Sequence, residues 1–219
     1  VDPHHPVHRI PVRLADRSLR QVNPVLAVLQ QLLDLVHQRA RASGLLALCA
    51  AEPVARRFRF TAENLEEITD LVSAAEIRWG IDNTDVARHG MGAFQVNTWL
   101  SGLDRMLTGV AVPDERTVGS VAPLDIDSSS LVDLVGRFAE LITRLRRISL
   151  DFAGVNPDAT ERKPLTEWTA SMRRALELIT EVAPGEDWQV HHAYATLADL
   201  ADGADPDGPE LSAADVSEL

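Results

Sequence analysis

The chain has 219 residues but only one cysteine. A single thiol, Cys49, excludes an internal disulfide framework and a cysteine-rich zinc site. It sits in the apolar run Leu45 to Ala51, which predicts a small buried hydrophobe rather than a nucleophile. Lysine is equally scarce: of the 21 lysines and arginines, Lys163 alone is a lysine. That bias points to a GC-rich coding sequence and says nothing about mechanism. Charge interrupts every apolar stretch within about ten residues, too soon for a membrane-spanning helix. The opening Val1-Asp2-Pro3-His4-His5-Pro6 has no cationic stretch ahead of an apolar core, so it is not a signal peptide. A first residue of valine fits an internal fragment of a longer protein, and equally a processed or trimmed chain.

The motifs of common chemistry are missing too. Neither G-x-x-x-x-G-K-[ST] nor G-x-G-x-x-G occurs, so neither glycine cradle for a nucleotide is available. H-E-x-x-H and G-x-S-x-G are absent. His4, His5 and His8 lie in a proline-broken lead, where solvated side chains are expected rather than a metal site. His191 and His192 are adjacent, so a helix turns one to the core edge and the other to water. The acids are scattered, and no pair forms an obvious acid/base couple. No catalytic residue, cofactor or metal is expected.

Net charge is −12, with 33 Asp and Glu. An acidic surface repels phosphate, which argues against a dedicated nucleic-acid clamp. Two local exceptions stand out: Arg56-Arg57-Arg59 and Arg144-Arg146-Arg147. They are the candidates for contacts with a DNA backbone or a partner protein, against the ordinary reading as solvated helix faces.

What is present reads as helix. Residues 9–15 alternate apolar and polar around Pro11, which predicts one short edge strand. Asn23-Pro24 is a cap followed by a first-turn proline. Residues 25–36 are apolar nearly all round, so this helix is expected to be central. A short helix is expected near 44–51, then a turn at Glu52-Pro53. Thr61 caps a helix over about 62–75, and Asn97-Thr98 cap another to about Val110. Residues 113–127 read as a loop. Asp127 or Ser128 then opens a helix with a stripe of Leu131, Leu134, Val135, Phe138, Leu141, Ile142, Leu145 and Ile148. After a loop over 151–164, Leu165, Trp168, Met172, Leu176 and Ile179 mark a helix. Trp188, His192, Leu197 and Leu200 mark the last. Three parts follow: a lead and strand (1–23), a helical domain (24–201), and an acidic linker with a truncated helix start (202–219).

Two stretches carry more. One is Ile77-Arg78-Trp79-Gly80-Ile81-Asp82. The other is Asn97-Thr98-Trp99-Leu100-Ser101-Gly102-Leu103-Asp104-Arg105-Met106-Leu107-Thr108-Gly109. Read alone, Trp79-Gly80 ends a helix, with glycine in the left-handed cap and the tryptophan folded back. Trp99, Leu103, Met106, Leu107 and Val110 share a helix face. Gly102 inside that helix predicts a close approach by another segment. Trp79, Trp99, Leu103 and Met106 are expected to be buried together. Arg78 and Arg105 are expected to pair with Asp82 and Asp104 or with carbonyls, a structural use that outweighs DNA contact.

In this order the two stretches resemble the I-R-W-G-[IL]-D … N-T-W-x-x-G-L-x-R-[LM]-L-x-G pattern of RecC (gamma) subunits of exodeoxyribonuclease V. Residues 13–26 and 52–58 are also similar to that family, and the likeness covers 9–110, weakening through Leu165–Trp168. It departs at Leu100-Ser101, Val110 and Val112, which alters packing detail. The resemblance implies an all-α, irregular multi-helix bundle, like the inserted 2B-like domain of a superfamily-1 helicase. It implies a non-catalytic, cytoplasmic scaffold beside RecB-like and RecD-like subunits, acting in double-strand-break repair. DNA would be bound by the whole complex, weakly or not at all by this segment. The competing reading is an independent helical interaction or regulatory domain with no DNA role. A small helical enzyme ranks below both, for want of a catalytic constellation.

Overall fold

A computed structural model describes residues 23–91, 97–112, 119, 121–126, 128–156, 158–205 and 208–218. The expected strand at 9–15 lies outside the described residues, as do His4, His5, His8 and much of the 113–127 loop. Among the described residues there are ten helices and no named strand; Lys163 and Leu211 form an isolated antiparallel bridge.

Helix α1 (Pro24–His37) is central, as its all-round apolar surface predicts. The Asn23 side chain accepts from the Val25 and Leu26 amides, and Pro24 occupies the first turn. Val25, Leu26, Val28, Leu29, Leu32, Leu33 and Leu35 are buried. Helices α2 (Ala42–Ala50) and α3 (Glu52–Phe58) follow, joined by the extended Ala51. The turn expected at Glu52-Pro53 is therefore a helix start instead. Proline suits a first turn because its missing amide would be unpaired there anyway.

Thr61 and Asn64 cap α4 (Ala62–Ala74) reciprocally, a capping box. Helix α5 (Asn83–Arg88) is capped by Asp82 and has no counterpart in the sequence reading. Thr98 caps α6 (Trp99–Ala111), and Ser128 caps α7 (Ser129–Ala153). The 25-residue α7 runs five residues beyond its predicted stripe and buries Leu134, Val135, Phe138, Leu141, Ile142, Leu145, Ile148 and Phe152. Helices α8 (Leu165–Ile179) and α9 (Trp188–Asp202) complete the bundle, and α10 (Ala213–Ser217) packs on α1. α1 touches α2, α3, α7, α8, α9 and α10, so one helix organises the core.

The end of the chain is attached by a small polar device. Lys163 and Leu211 exchange backbone hydrogen bonds of 3.0 and 2.8 Å, and Trp168 Nε1 donates to the Leu211 carbonyl at 2.8 Å. The Lys163 ammonium, itself buried, bonds Asp151 and lies over the Trp168 ring. His192 meets the Asn23 amide at the core edge while His191 is exposed, the division expected of adjacent helical histidines. Trp188, by contrast, is exposed at the start of α9.

Candidate functional site

The two family-like stretches meet in space, where three chain segments are tied through their backbones. Between α1 and α2, Arg39 and Ala40 take left-handed conformations, φ 66° and 44°. The Gly80 amide donates to the Arg39 carbonyl at 2.8 Å, and the Ala42 amide donates to Arg78 at 3.0 Å. On the other side, the Arg78 amide donates to the Asn97 carbonyl at 2.9 Å. The Trp99 and Leu100 amides donate to Gly80 and Ile81, each at 3.0 Å. Residues 78–81 are thus held between the α1–α2 turn and the start of α6.

This geometry corrects the helix-end reading of Trp79-Gly80. α4 stops at Ala74, and Glu76 (φ 57°) takes the left-handed turn after it. Gly80 is left-handed at φ 76°, but inside the tie, where a β-carbon would lie 2.7 Å from Val86 Cγ2. A six-residue helix and long-range backbone pairing leave no periodic trace, so sequence spacing missed both.

Trp99 is fully buried. Its Nε1 donates to the Ala40 carbonyl at 2.7 Å, and its ring meets Phe138 edge-on at 6.1 Å. Leu103 and Met106 are buried with it, as expected. Trp79 is not part of that group. It is half-buried, with Arg39 over its ring at 5.9 Å and His89 at its edge at 6.1 Å. Leu107 is 41% exposed and leaves the predicted face. Thr98 is buried and caps α6; Asn97 is left-handed at φ 66°.

Gly102 makes the close approach that its helical cost implied. A β-carbon there would run into Ile77 Cγ1 and Cδ1 and sit 3.3 Å from Ala75 Cβ. Gly109 does the same against the Leu124 backbone, a contact the sequence reading did not draw. Arg105 explains it: its carbonyl accepts from the Leu124 amide at 3.1 Å, and its Nε donates to the Ala122 carbonyl at 3.0 Å. Arg105 thus binds a carbonyl rather than Asp104.

Asp82 does not pair with Arg78 either. One carboxylate oxygen accepts from the Asp85 amide, and the other takes Arg146 Nε at 2.8 Å. Asp85 is buried, and burial pushes its carboxyl above the ordinary value, against the Ile81 amide and Arg88. His89 is held below the usual imidazole value chiefly by burial, with Asp85 opposing and Arg39, Arg88 and His37 adding to it.

The basic clusters are divided among carboxylates and helix ends. Arg56 pairs with Glu52 at 2.9 Å, Arg57 with Glu181 at 3.8 Å, and Arg146 with Asp82. Arg144 pairs with Glu140, donates to the Leu178 carbonyl near the end of α8, and lies over Phe58. Arg137, outside either cluster, donates to the Phe58 and Arg59 carbonyls, closing the end of α3. Arg59 and Arg147 are exposed without an ion-pair partner among the described residues. Cationic groups at helix C-termini satisfy free carbonyls and interact favourably with the negative end of the helix dipole.

Cys49 is buried, and burial pushes its thiol up to about 12. A thiol in that state is not a nucleophile. Among the described residues no group of histidine, cysteine and acidic side chains could hold a metal ion, and no helix is long and apolar enough to cross a membrane.

The model of the RecBCD enzyme subunit RecC fourth domain matches residues 22–219. The chain is 38% identical over 98% of its length to the RecBCD enzyme subunit RecC of Mycobacterium tuberculosis, covering 19% of that protein. Against the subunit of Mycolicibacterium smegmatis it is 39% identical over 98% of its length, covering 19%. Against that of Escherichia coli it is 34% identical over 76% of its length, covering 14%. The chain therefore spans about a fifth or less of the length of these relatives. A match that runs through the tie, the bundle and the closing helix shows that this chain belongs to the RecC family, as a fragment centred on its fourth domain.

Proposed function

We propose that this domain is a non-catalytic scaffold of a RecC subunit within a RecBCD-type helicase–nuclease that processes DNA double-strand breaks for recombinational repair. On this reading it corresponds to the inserted, 2B-like helical part of a helicase-like chain and works in the cytoplasm. Its partners are RecB-like and RecD-like subunits, and DNA is held by the assembled complex. The observation that carries the reading is the use made of the arginines. Arg88, Arg105, Arg137, Arg144 and Arg146 are spent on carbonyls and carboxylates that join one segment to another. A DNA clamp would instead present such side chains unpaired to phosphate. The net charge of −12 supports the same reading.

The test is a titration of the purified chain with single- and double-stranded DNA at two salt concentrations, with assays of ATP hydrolysis and DNA cleavage. No turnover and only weak binding are expected. Micromolar or tighter, steeply salt-dependent binding, lost on charge reversal of Arg56, Arg57 and Arg59 or of Arg144, Arg146 and Arg147, would place the domain in the DNA path.

A further inference from the structure

The face around Trp79 is locally basic in a chain of net charge −12. The ring is half-buried, with Arg39 above it and His89 at its edge. His37, Arg39, Arg41 and Arg78 are exposed on the adjoining segments. The nearby acids Asp82 and Asp85 are already engaged, with Arg146, Arg88 and backbone amides. Two further carboxylates lie nearby: Glu76, exposed in the turn ahead, and Asp34, half-buried and lining one cleft with Arg41.

The same face is held in place by unfavourable backbone. Of the five non-glycine residues with positive φ among the described residues, Arg39, Ala40 and Asn97 belong to the tie, and Glu76 turns the chain into it. Such conformations persist where surrounding structure over-determines them, and they gather at functional surfaces. Tryptophan and arginine, fixed in advance, are the side chains that dominate protein–protein contact energy. Fixing them beforehand removes an ordering cost from binding.

We propose that the Trp79 face is a docking surface for an acidic segment of the same full-length polypeptide. Charge complementarity selects the chemistry: carboxylates match Arg39, Arg41 and Arg78, while an apolar neighbour covers the indole. Length selects the source, since about four fifths of the relatives' polypeptide lies outside the matched region. DNA phosphate would meet the same arginines, but the surrounding net charge opposes it. The inference rests on the scaffold reading and gives that scaffold a contact surface.

The experiment places benzoylphenylalanine at position 37, exposed beside the face but not one of the three arginines, in the full-length chain in its assembled complex. After irradiation, adducts are mapped by mass spectrometry. Adducts on an Asp/Glu-rich segment of the same polypeptide are expected. Arg39→Glu and Trp79→Ala should each cut their yield about tenfold, as hot-spot truncations do. Arg39→Lys and Trp79→Phe should lose less. Adducts on DNA, on another subunit, or on nothing would overturn the proposal, as would a yield indifferent to all four substitutions. Failure of the scaffold reading is separately visible, as ATP turnover, DNA cleavage or tight DNA binding by the 219-residue chain.

Discussion

Gly102 and Ile77 compete for one volume: a β-carbon on the first would penetrate the side chain of the second. Ile77 is buried, and its β-branched side chain has few rotamers to escape into. Gly102→Ala should gain up to about 1 kcal/mol of helix propensity and still be destabilising, because overpacking costs about 1–3 kcal/mol. Ile77→Ala is also expected to destabilise. The double variant should recover part of the sum, because the two sites share one space. Urea denaturation of the four proteins measures this; strict additivity would show that the helix and the 75–82 segment are not in contact.

Trp99 and Trp79 separate two roles within one motif. Trp99→Ala removes a fully buried ring and should cost about 3–5 kcal/mol. Trp99→Phe keeps an aromatic against Phe138 but leaves the buried Ala40 carbonyl without its donor, at about 1–3 kcal/mol. Trp79→Ala removes a half-buried ring and should cost about 1 kcal/mol. Equal losses at the two positions, read by chemical denaturation, would show that Trp79 is core after all.

The contrast between these tryptophans also shows which features sequence can reveal. Asn23, Thr61, Thr98 and Ser128 are local signals, and each caps the helix that its pattern announced. The α7 stripe is equally local and equally legible. Gly102 could be read because glycine inside a helix needs a reason. Gly109 offered the same signal in the same helix, yet its partner Leu124 lies across a loop. The half-buried setting of Trp79 is not legible in the same way, because it depends on backbone pairing of residues 78–80 with Arg39 and Asn97, which spacing does not encode. The Arg146–Asp82 pair joins residues 64 positions apart, and its existence follows only from the packing of α7.

Asp151 gives the acid side of the stability curve an identifiable component. Burial alone would raise its carboxyl, but hydrogen bonds and charge from Lys163 and Arg174 outweigh burial and hold it below 3.8. A carboxyl lowered in the folded state stabilises the fold above its unfolded value, and that contribution disappears as pH falls through the folded value. Asp151→Asn should therefore be less stable than the parent at neutral pH. The gap should narrow as pH drops below 3.8. Asp85 is shifted the opposite way, so its contribution is lost as pH rises, but it is common to both proteins and cancels in the difference. Thermal melts across the acid range decide the matter. A gap that stays constant with pH would remove the Lys163–Asp151–Arg174 group as its source.

Gly109 is buried within its helix and Gly136 is exposed on another, and the same substitution should act on them in opposite directions. At Gly136 on α7 an added β-carbon meets nothing within 4 Å. Gly136→Ala then leaves only the propensity gain and the reduced freedom of the unfolded chain, about 0.5–1 kcal/mol of stabilisation. At Gly109 the obstacle is backbone: the β-carbon would lie 2.8 Å from the Leu124 carbonyl carbon and closer still to its oxygen. No rotamer change relieves a backbone clash. Residues 121–126 would have to lift from α6, weakening the Leu124–Arg105 and Arg105–Ala122 hydrogen bonds and exposing the buried Ile126. Gly109→Ala should lose about 1–3 kcal/mol despite its better helix propensity. Hydrogen exchange at the Leu124 amide should accelerate, while exchange in the α7 core is unchanged. If the two alanines stabilise alike and the Leu124 amide stays protected, the 121–126 segment is not seated on α6, and Arg105 must serve some contact other than the one that holds it there.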